Sequence, residues 1–401
     1  MLLLNNHPNS QKALPNEIQQ AFTEATCQDV IKSFRAVGSE LNATPLHQMH
    51  NLADEFGVAS IAIKDEAHRL GLGSFKALGG AYAVFRHFEE KLGALDDLKP
   101  DQVTYQNPTS RAIAAAITVA CATDGNHGKS VAYGAKKIGA RAHIFLHRDV
   151  NPERADAIAQ FGAKLHYVDG TYDDAIKYAE TIAKANGWSL ISDTSWPGYE
   201  EVPLTVMQGY TILAQEMLQH LQKPPTHVFL QAGVGGMAAA ISAFFKSALG
   251  ERCPKIIVVE PESAACIQAG IQQGSPHKVS DETSTVMAML ECYEPSHLAW
   301  KILTHTATAT LSIEDEAAIN ALRLLAKPYG NDPHIVSGES GGAGLAGFLQ
   351  VASNPDHRKV LGIDHQSRIL AINTEGATAP KLYADLLTNH SRLSDVPEQD
   401  A

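Results

Sequence analysis

Short apolar, β-branched runs alternate along this chain with longer segments whose apolar positions recur at helical spacing. Arg141–Leu146 (RAHIFL) reads as a strand and Pro152–Phe161 (PERADAIAQF) as a helix. The alternation continues through strand Lys164–Val168, helix Tyr172–Ala185 and strand Ser189–Asp193. A Pro- and Gly-bearing stretch, Trp196–Pro203, precedes one long helix predicted over Leu204–Leu221. Strand His227–Ala232 leads through a glycine loop into helix Met237–Leu249. Strand Lys255–Glu260, helix Glu314–Ala326 and strand Arg368–Asn373 follow. Upstream, Ala59–Lys64 is an extended run before a helix over Ala81–Leu92. An apolar, strand-like run ends at Cys121 before a helix over Lys129–Lys137. Strands divided by helices of roughly 10–15 residues predict an α/β fold with a mainly parallel sheet covered on both faces. The loop-rich segment Gly93–Ser110 is predicted to join two lobes, and the last residues (HSRLSDVPEQDA) to form a frayed tail.

Composition narrows the class. Of 401 residues, 44% are apolar and 19% charged, which excludes a disordered chain. Thirty-two basic against 44 acidic residues give a net charge of −12. That balance argues against nucleic acid or an anionic membrane surface as partner. The most apolar stretch, Ala112–Ala122, runs to about 11 residues, short of the roughly 20 a bilayer requires. The start, MLLLNNHPNS, lacks a basic region and a long apolar core, so no signal peptide is expected. The cysteines (Cys27, Cys121, Cys253, Cys266, Cys292) are odd in number and have no CxxC spacing. They predict thiols in a reducing cytoplasm rather than a disulfide framework or a zinc site. A Cys266–Cys292 bridge is the one pairing left open.

Chemistry concentrates in glycine-bearing segments. In Gly71–Gly80 (GLGSFKALGG), Lys76 sits on a strand-to-helix turn among small residues that a ligand can approach closely. Partial burial there should lower its pKa and favour imine formation. In Ala122–Gly128 (ATDGNHG), Asp124 and Asn126 suit simple helix capping. The same first turn offers N–H groups that can hold a carboxylate. In Gln231–Ala238 (QAGVGGMA), the glycines let backbone N–H groups converge on an anion at a helix start. The spacing fails both the dinucleotide fingerprint and the P-loop, and fits one phosphate better than either. Asn373–Gly376 (NTEG) closes an apolar strand with the hydroxyl of Thr374. Gly338–Gly342 (GESGG) opens a small-residue helix, as a second anion-facing turn or as close packing. A reactive lysine, a one-phosphate cradle, a strand-end hydroxyl and an anion loop together suggest a phosphate-bearing aldehyde cofactor, pyridoxal 5'-phosphate.

The SFK turn, GNHG loop, GVGGM loop and NTEG turn, in that order, resemble the tryptophan-synthase-β (fold type II) pyridoxal phosphate enzymes. Within that group the chain is most similar to the diaminopropionate ammonia-lyases. Lys64–Ala83, Ala122–Ala140, Ser192–Tyr210, Gln231–Ala240, Val258–Pro261, Ser337–Gly344 and Asn373–Gly376 carry the resemblance. It extends from about residue 40 to about residue 385. Asp124 is the discriminating position, since serine and threonine dehydratases of this fold usually carry a small hydroxyl residue there. The chain departs from the family pattern at Ser74 and Ala377.

The resemblance implies two α/β lobes with the cofactor in the cleft, a large domain over residues 1–84 and 201–401 and a small domain over 85–200. It implies that Lys76 carries the cofactor, that Gly233, Val234, Gly235, Gly236 and Met237 hold its phosphate, that Asn126 meets the ring oxygen and that Thr374 meets the ring nitrogen. Thr123, Asp124 and His127 would bind the substrate carboxylate. Asp193, at the end of SLISD, would bind a second amino group or else cap its own turn. Elimination from both isomers of 2,3-diaminopropionate, with Lys76 and Asp124 as the two bases, and a homodimer complete the implied picture. A serine, threonine or 3-hydroxyaspartate dehydratase is the nearest alternative, and a non-catalytic amino-acid-binding protein a remote one.

Overall fold

A computed structural model describes residues 1–10, 12–94 and 107–388. Most of the expected joint over Gly93–Ser110, and the polar tail, lie outside the described residues. Eleven strands are described: β1 (Leu2–Leu4), β2 (Leu46–Gln48), β3 (Ser60–Asp65), β4 (Thr118–Ala122), β5 (Arg141–His147), β6 (Lys164–Val168), β7 (Ser189–Leu190), β8 (His227–Gln231), β9 (Lys255–Pro261), β10 (Ala309–Ile313) and β11 (Arg368–Asn373). They form two sheets. The larger has the order β1-β10-β9-β8-β11-β3-β2, parallel except for antiparallel β1 and β2 at its edges. The smaller, β6-β5-β4-β7, is wholly parallel. Every residue of β4, β8 and β10 is buried, as expected of strands covered on both faces. The fold is the mainly parallel α/β architecture expected from the sequence.

The smaller sheet draws all its strands from residues 118–190, and the larger draws none from that span. The helix Lys76–Gly93 runs unbroken across position 84/85. It packs on helix Asn126–Ile138, which follows β4, and on helix Glu201–Gly209. The second contact depends on glycine. A Cβ on Gly79 would stand 2.6 Å from the Val206 carbonyl oxygen, and one on Gly209 would stand 2.7 Å from Gly79 Cα. Only bare backbone permits that crossing, which fixes the start of the lysine-bearing helix.

Several expected boundaries move. The single helix over Leu204–Leu221 is two, Glu201–Gly209 and Thr211–His220, broken at Tyr210, whose ring turns onto Phe75 at 4.9 Å. The strand over Ser189–Asp193 pairs only through Leu190, so Asp193 lies beyond it in a turn. The run Ala112–Ala122 straddles a helix, Pro108–Ala116, and β4. The helices predicted from Ala81 and Lys129 begin earlier, at Lys76 and Asn126.

Candidate active site

Loops after β3, β4, β8 and β11 converge beyond the carboxyl ends of those parallel strands, where α/β sheets bind ligands. They border one open cavity. Lys76, Thr123, Asp124, Asn126, His127, Asp193, the loop Gly233–Met237 and Thr374 all line it. Every site residue singled out in the sequence therefore faces one space. Backbone pairing joins the two segments most distant in sequence. Phe75 N donates to the Thr374 carbonyl at 3.0 Å, and Gly376 N to the Gly73 carbonyl at 3.0 Å.

Lys76 opens its helix and places its ammonium against the Asp193 carboxylate. Burial opposes the charge on Lys76, but Asp193 outweighs it, so the pKa is raised. This reverses the lowering expected from burial alone: the sequence did not reveal that a carboxylate would face the amine. Asp193 is held well below the usual carboxylate range, because Lys76, His127 and hydrogen bonding overcome its burial. Tyr172 Oη donates to Asp193 Oδ1 at 3.4 Å.

The ATDGNHG loop caps its helix differently from the simplest expectation. Thr123 Oγ1, not Asp124 or Asn126, accepts from the N–H groups of Gly125 (3.0 Å) and Gly128 (3.1 Å). Asn126 instead sends its Nδ2 to Glu375 Oε2 at 2.5 Å. Asp124 turns to His147, with Oδ1 3.1 Å from Nε2. The Asp124 carboxylate beside it raises the His147 pKa against its burial. His127 donates from Nε2 to the Ile191 carbonyl at 2.8 Å, and burial depresses its pKa against the pull of Asp193.

The loop after β8 leads directly into helix Gly236–Leu249. Gly235 takes φ +94°, a left-handed conformation that glycine accepts without strain. No side chain caps this helix, so its first-turn N–H groups, which lack intrahelical partners, stand at the cavity wall. A Cβ on Gly233 would come within 2.9 Å of Cys292 Sγ. The loop thus turns bare backbone N–H groups to the cavity, an arrangement that suits an anion. Thr374 Oγ1 accepts from Gln231 Nε2 at 3.1 Å, which leaves the threonine's own O–H as a donor at the cavity wall. Buried His127 Nδ1 and Gln231 Oε1 engage no hydrogen-bond partner among the described residues. These features fit a phosphate-bearing pyridine aldehyde.

Tyr172, Tyr210, Gln231, Cys292 and Glu375 also line the cavity, unanticipated. Gln231, Tyr210 and Glu375 stood inside quoted motifs, whereas Tyr172 carried only a helix-pattern signal. The GESGG segment lies outside the lining: a Cβ on Gly341 would meet the Glu375 carbonyl at 2.5 Å, so its glycines serve close packing. All five cysteines are thiols.

The model of one family, pyridoxal-phosphate dependent enzyme, matches residues 38–374. The chain belongs to that family. A diaminopropionate ammonia-lyase from Escherichia coli is 38% identical over 86% of this chain and 87% of its own length. One from Salmonella typhimurium is 37% identical over 86% and 88%. A crystal structure of the Escherichia coli diaminopropionate ammonia lyase, in complex with an aminoacrylate-PLP azomethine reaction intermediate, is 34% identical. It covers 97% of this chain and 96% of that one, with a TM-score of 0.86. The present family member is a pyridoxal-phosphate-dependent lyase, and pyridoxal phosphate is its cofactor. Among its described residues no helix is long and apolar enough to cross a membrane.

Proposed function

We propose that this lyase eliminates ammonia from 2,3-diaminopropionate, as either isomer, and yields pyruvate and two ammonia. The observation that carries the substrate is a pair of carboxylates, Asp124 and Asp193, lining the same cavity as Lys76. A substrate with two ammonium groups calls for negative charge that a hydroxy-amino acid does not.

Lys76 carries the cofactor, backbone N–H groups of Gly233–Met237 hold its phosphate, Asn126 meets its ring oxygen and Thr374 its ring nitrogen. When bound, pyridoxal 5'-phosphate supplies an electron sink that lets a Cα proton leave the substrate. The N–H groups of the Thr123–His127 loop, at the start of helix Asn126–Ile138, bind the α-carboxylate. A lysine committed to the cofactor no longer holds Asp193, which leaves that carboxylate for the β-ammonium. Mirror-image substrates in one seat present their Cα protons to different groups, so two bases are needed. Lys76 Nζ, set free when the substrate's α-amino group takes its place, takes the proton of the L-isomer, and Asp124, oriented by His147, that of the D-isomer. The β-amino group leaves with a proton as ammonia, and water releases the second ammonia from the three-carbon product.

The same proposal includes a small lobe over residues 85–200, a cytoplasmic location in keeping with the free thiols, and a homodimer, which rests on family resemblance. The deciding assay measures ammonia and pyruvate release from D- and L-2,3-diaminopropionate, with D- and L-serine as controls. Release from both diaminopropionate isomers well above serine is the expected result. Faster release from serine would overturn the substrate assignment.

A further inference from the structure

Glu375 lies just beyond β11, is 1% exposed and lines the cavity. Its Oε2 accepts from Asn126 Nδ2 at 2.5 Å and from Thr378 Oγ1 at 3.4 Å. Asn126 follows β4 of the smaller sheet, so this bond spans the two sheets. A second tie runs alongside it. Arg154, on helix Pro152–Ala159, pairs its guanidinium with Glu339, in the loop before helix Ala343–Ala352. Both groups are buried. The stem of Arg154 also backs the residue before Asn126: a Cβ on Gly125 would stand 3.1 Å from Arg154 Cδ.

We infer that Glu375 is a positioning residue. It fixes the amide of Asn126 so that N–H, and not C=O, is turned toward the cofactor's ring oxygen. An asparagine amide has donor and acceptor ends of nearly equal size, and only its neighbours decide which faces a ligand. A buried acceptor beside the nitrogen removes the flipped arrangement, which would set two oxygens against each other. One amide hydrogen is spent on Glu375 and the second is left for the cavity. Burial, followed by repulsion from Glu339, raises the Glu375 carboxyl to about 7, against Arg154 and Asn126. Oε2 can accept the amide N–H in either protonation state.

The inference rests on the reading of Asn126 as a cofactor ligand, and its test separates the two. Apo protein is titrated with pyridoxal phosphate, and the dissociation constant is read from the visible absorbance of the bound cofactor. Asn126→Ala should weaken binding roughly tenfold to a hundredfold, the usual worth of a charge-assisted hydrogen bond. Glu375→Met should weaken it comparably, and Glu375→Gln, whose amide oxygen can still accept, should recover most of the loss. The double variant Asn126→Ala/Glu375→Met should be no worse than Asn126→Ala, because the two residues act as one unit. Thermal unfolding of the apo variants identifies any that fail to fold, and Glu375→Gln, which keeps the shape, then decides by its visible spectrum matching wild type. A loss with Asn126→Ala but none with Glu375→Met, losses that multiply in the double variant, or a Glu375→Gln spectrum unlike wild type would overturn the inference alone. Unchanged binding in Asn126→Ala would overturn both it and the ligand reading.

Discussion

The Asp193 carboxylate decides when Lys76 can act as a nucleophile. A lysine attacks an aldehyde only as the neutral amine, and Asp193 keeps it charged by raising its pKa. The charged pair contributes stability that is complete below the ordinary lysine pKa and is lost as pH rises through the raised value. Asp193→Asn removes the largest raising influence and leaves burial to dominate. Cofactor uptake by the apo variant near pH 7, followed by visible absorbance, should therefore be faster than in wild type. Its KM for diaminopropionate should rise, since the β-ammonium loses its partner. Asp124→Asn has a different expected signature. Activity on the D-isomer should fall by about 10²–10⁴, the ordinary worth of a positioned base, with far less loss on the L-isomer. Equal losses, measured by pyruvate release, would leave Asp124 with a role in shaping the site only. Apart from Asp193, the residue types of this site were legible because they sat in glycine-bearing turns at strand ends. The contacts were not: nothing in the spacing of Lys76 and Asp193 announces that they meet.

Among the elements, strands β3, β4, β8 and β11, and the helices that follow the first three, could be read from apolar runs ending in glycine turns. Shorter or more polar elements escaped. β1 and β2 have three residues each, and β10 (ATLSI) dilutes its apolar run with Thr and Ser. The break at Tyr210 also escaped, because the apolar repeat continues through it. The glycine crossing behind Lys76 makes a sharp prediction. Gly79→Ala would force a Cβ against the Val206 carbonyl and the Tyr210 ring, at 2.6 and 2.7 Å. It should cost about 1–3 kcal/mol by denaturant unfolding, the range for overpacked sites, and weaken cofactor binding as the helix start shifts. A buried charge cluster supports the same turn from below. Arg69, 1% exposed, bonds both Glu66 and Glu216, and Lys64 Nζ bonds Glu216 at 2.5 Å and the Thr44 carbonyl at 2.7 Å. Removing one member strands the others without compensation, so Glu216→Ala should cost about 3–5 kcal/mol in the same measurement.

For the whole molecule, a cavity formed where loops of two parallel sheets meet requires those sheets to hold a fixed relation. Glu375 with Asn126, and Glu339 with Arg154, are ties of that kind. If the molecule is a homodimer, sedimentation equilibrium should give twice the chain mass, independent of added pyridoxal phosphate. A monomer would count against that part of the proposal. The main-chain bonds between the Gly73–Phe75 and Thr374–Gly376 turns carry a consequence for how such a chain can change. They form a seam indifferent to the side chains it bears. A replacement beside it, such as the alanine at 377, can be accommodated without disturbing the aim of Lys76. Side chains around the seam can thus change while the reacting amine stays where it is.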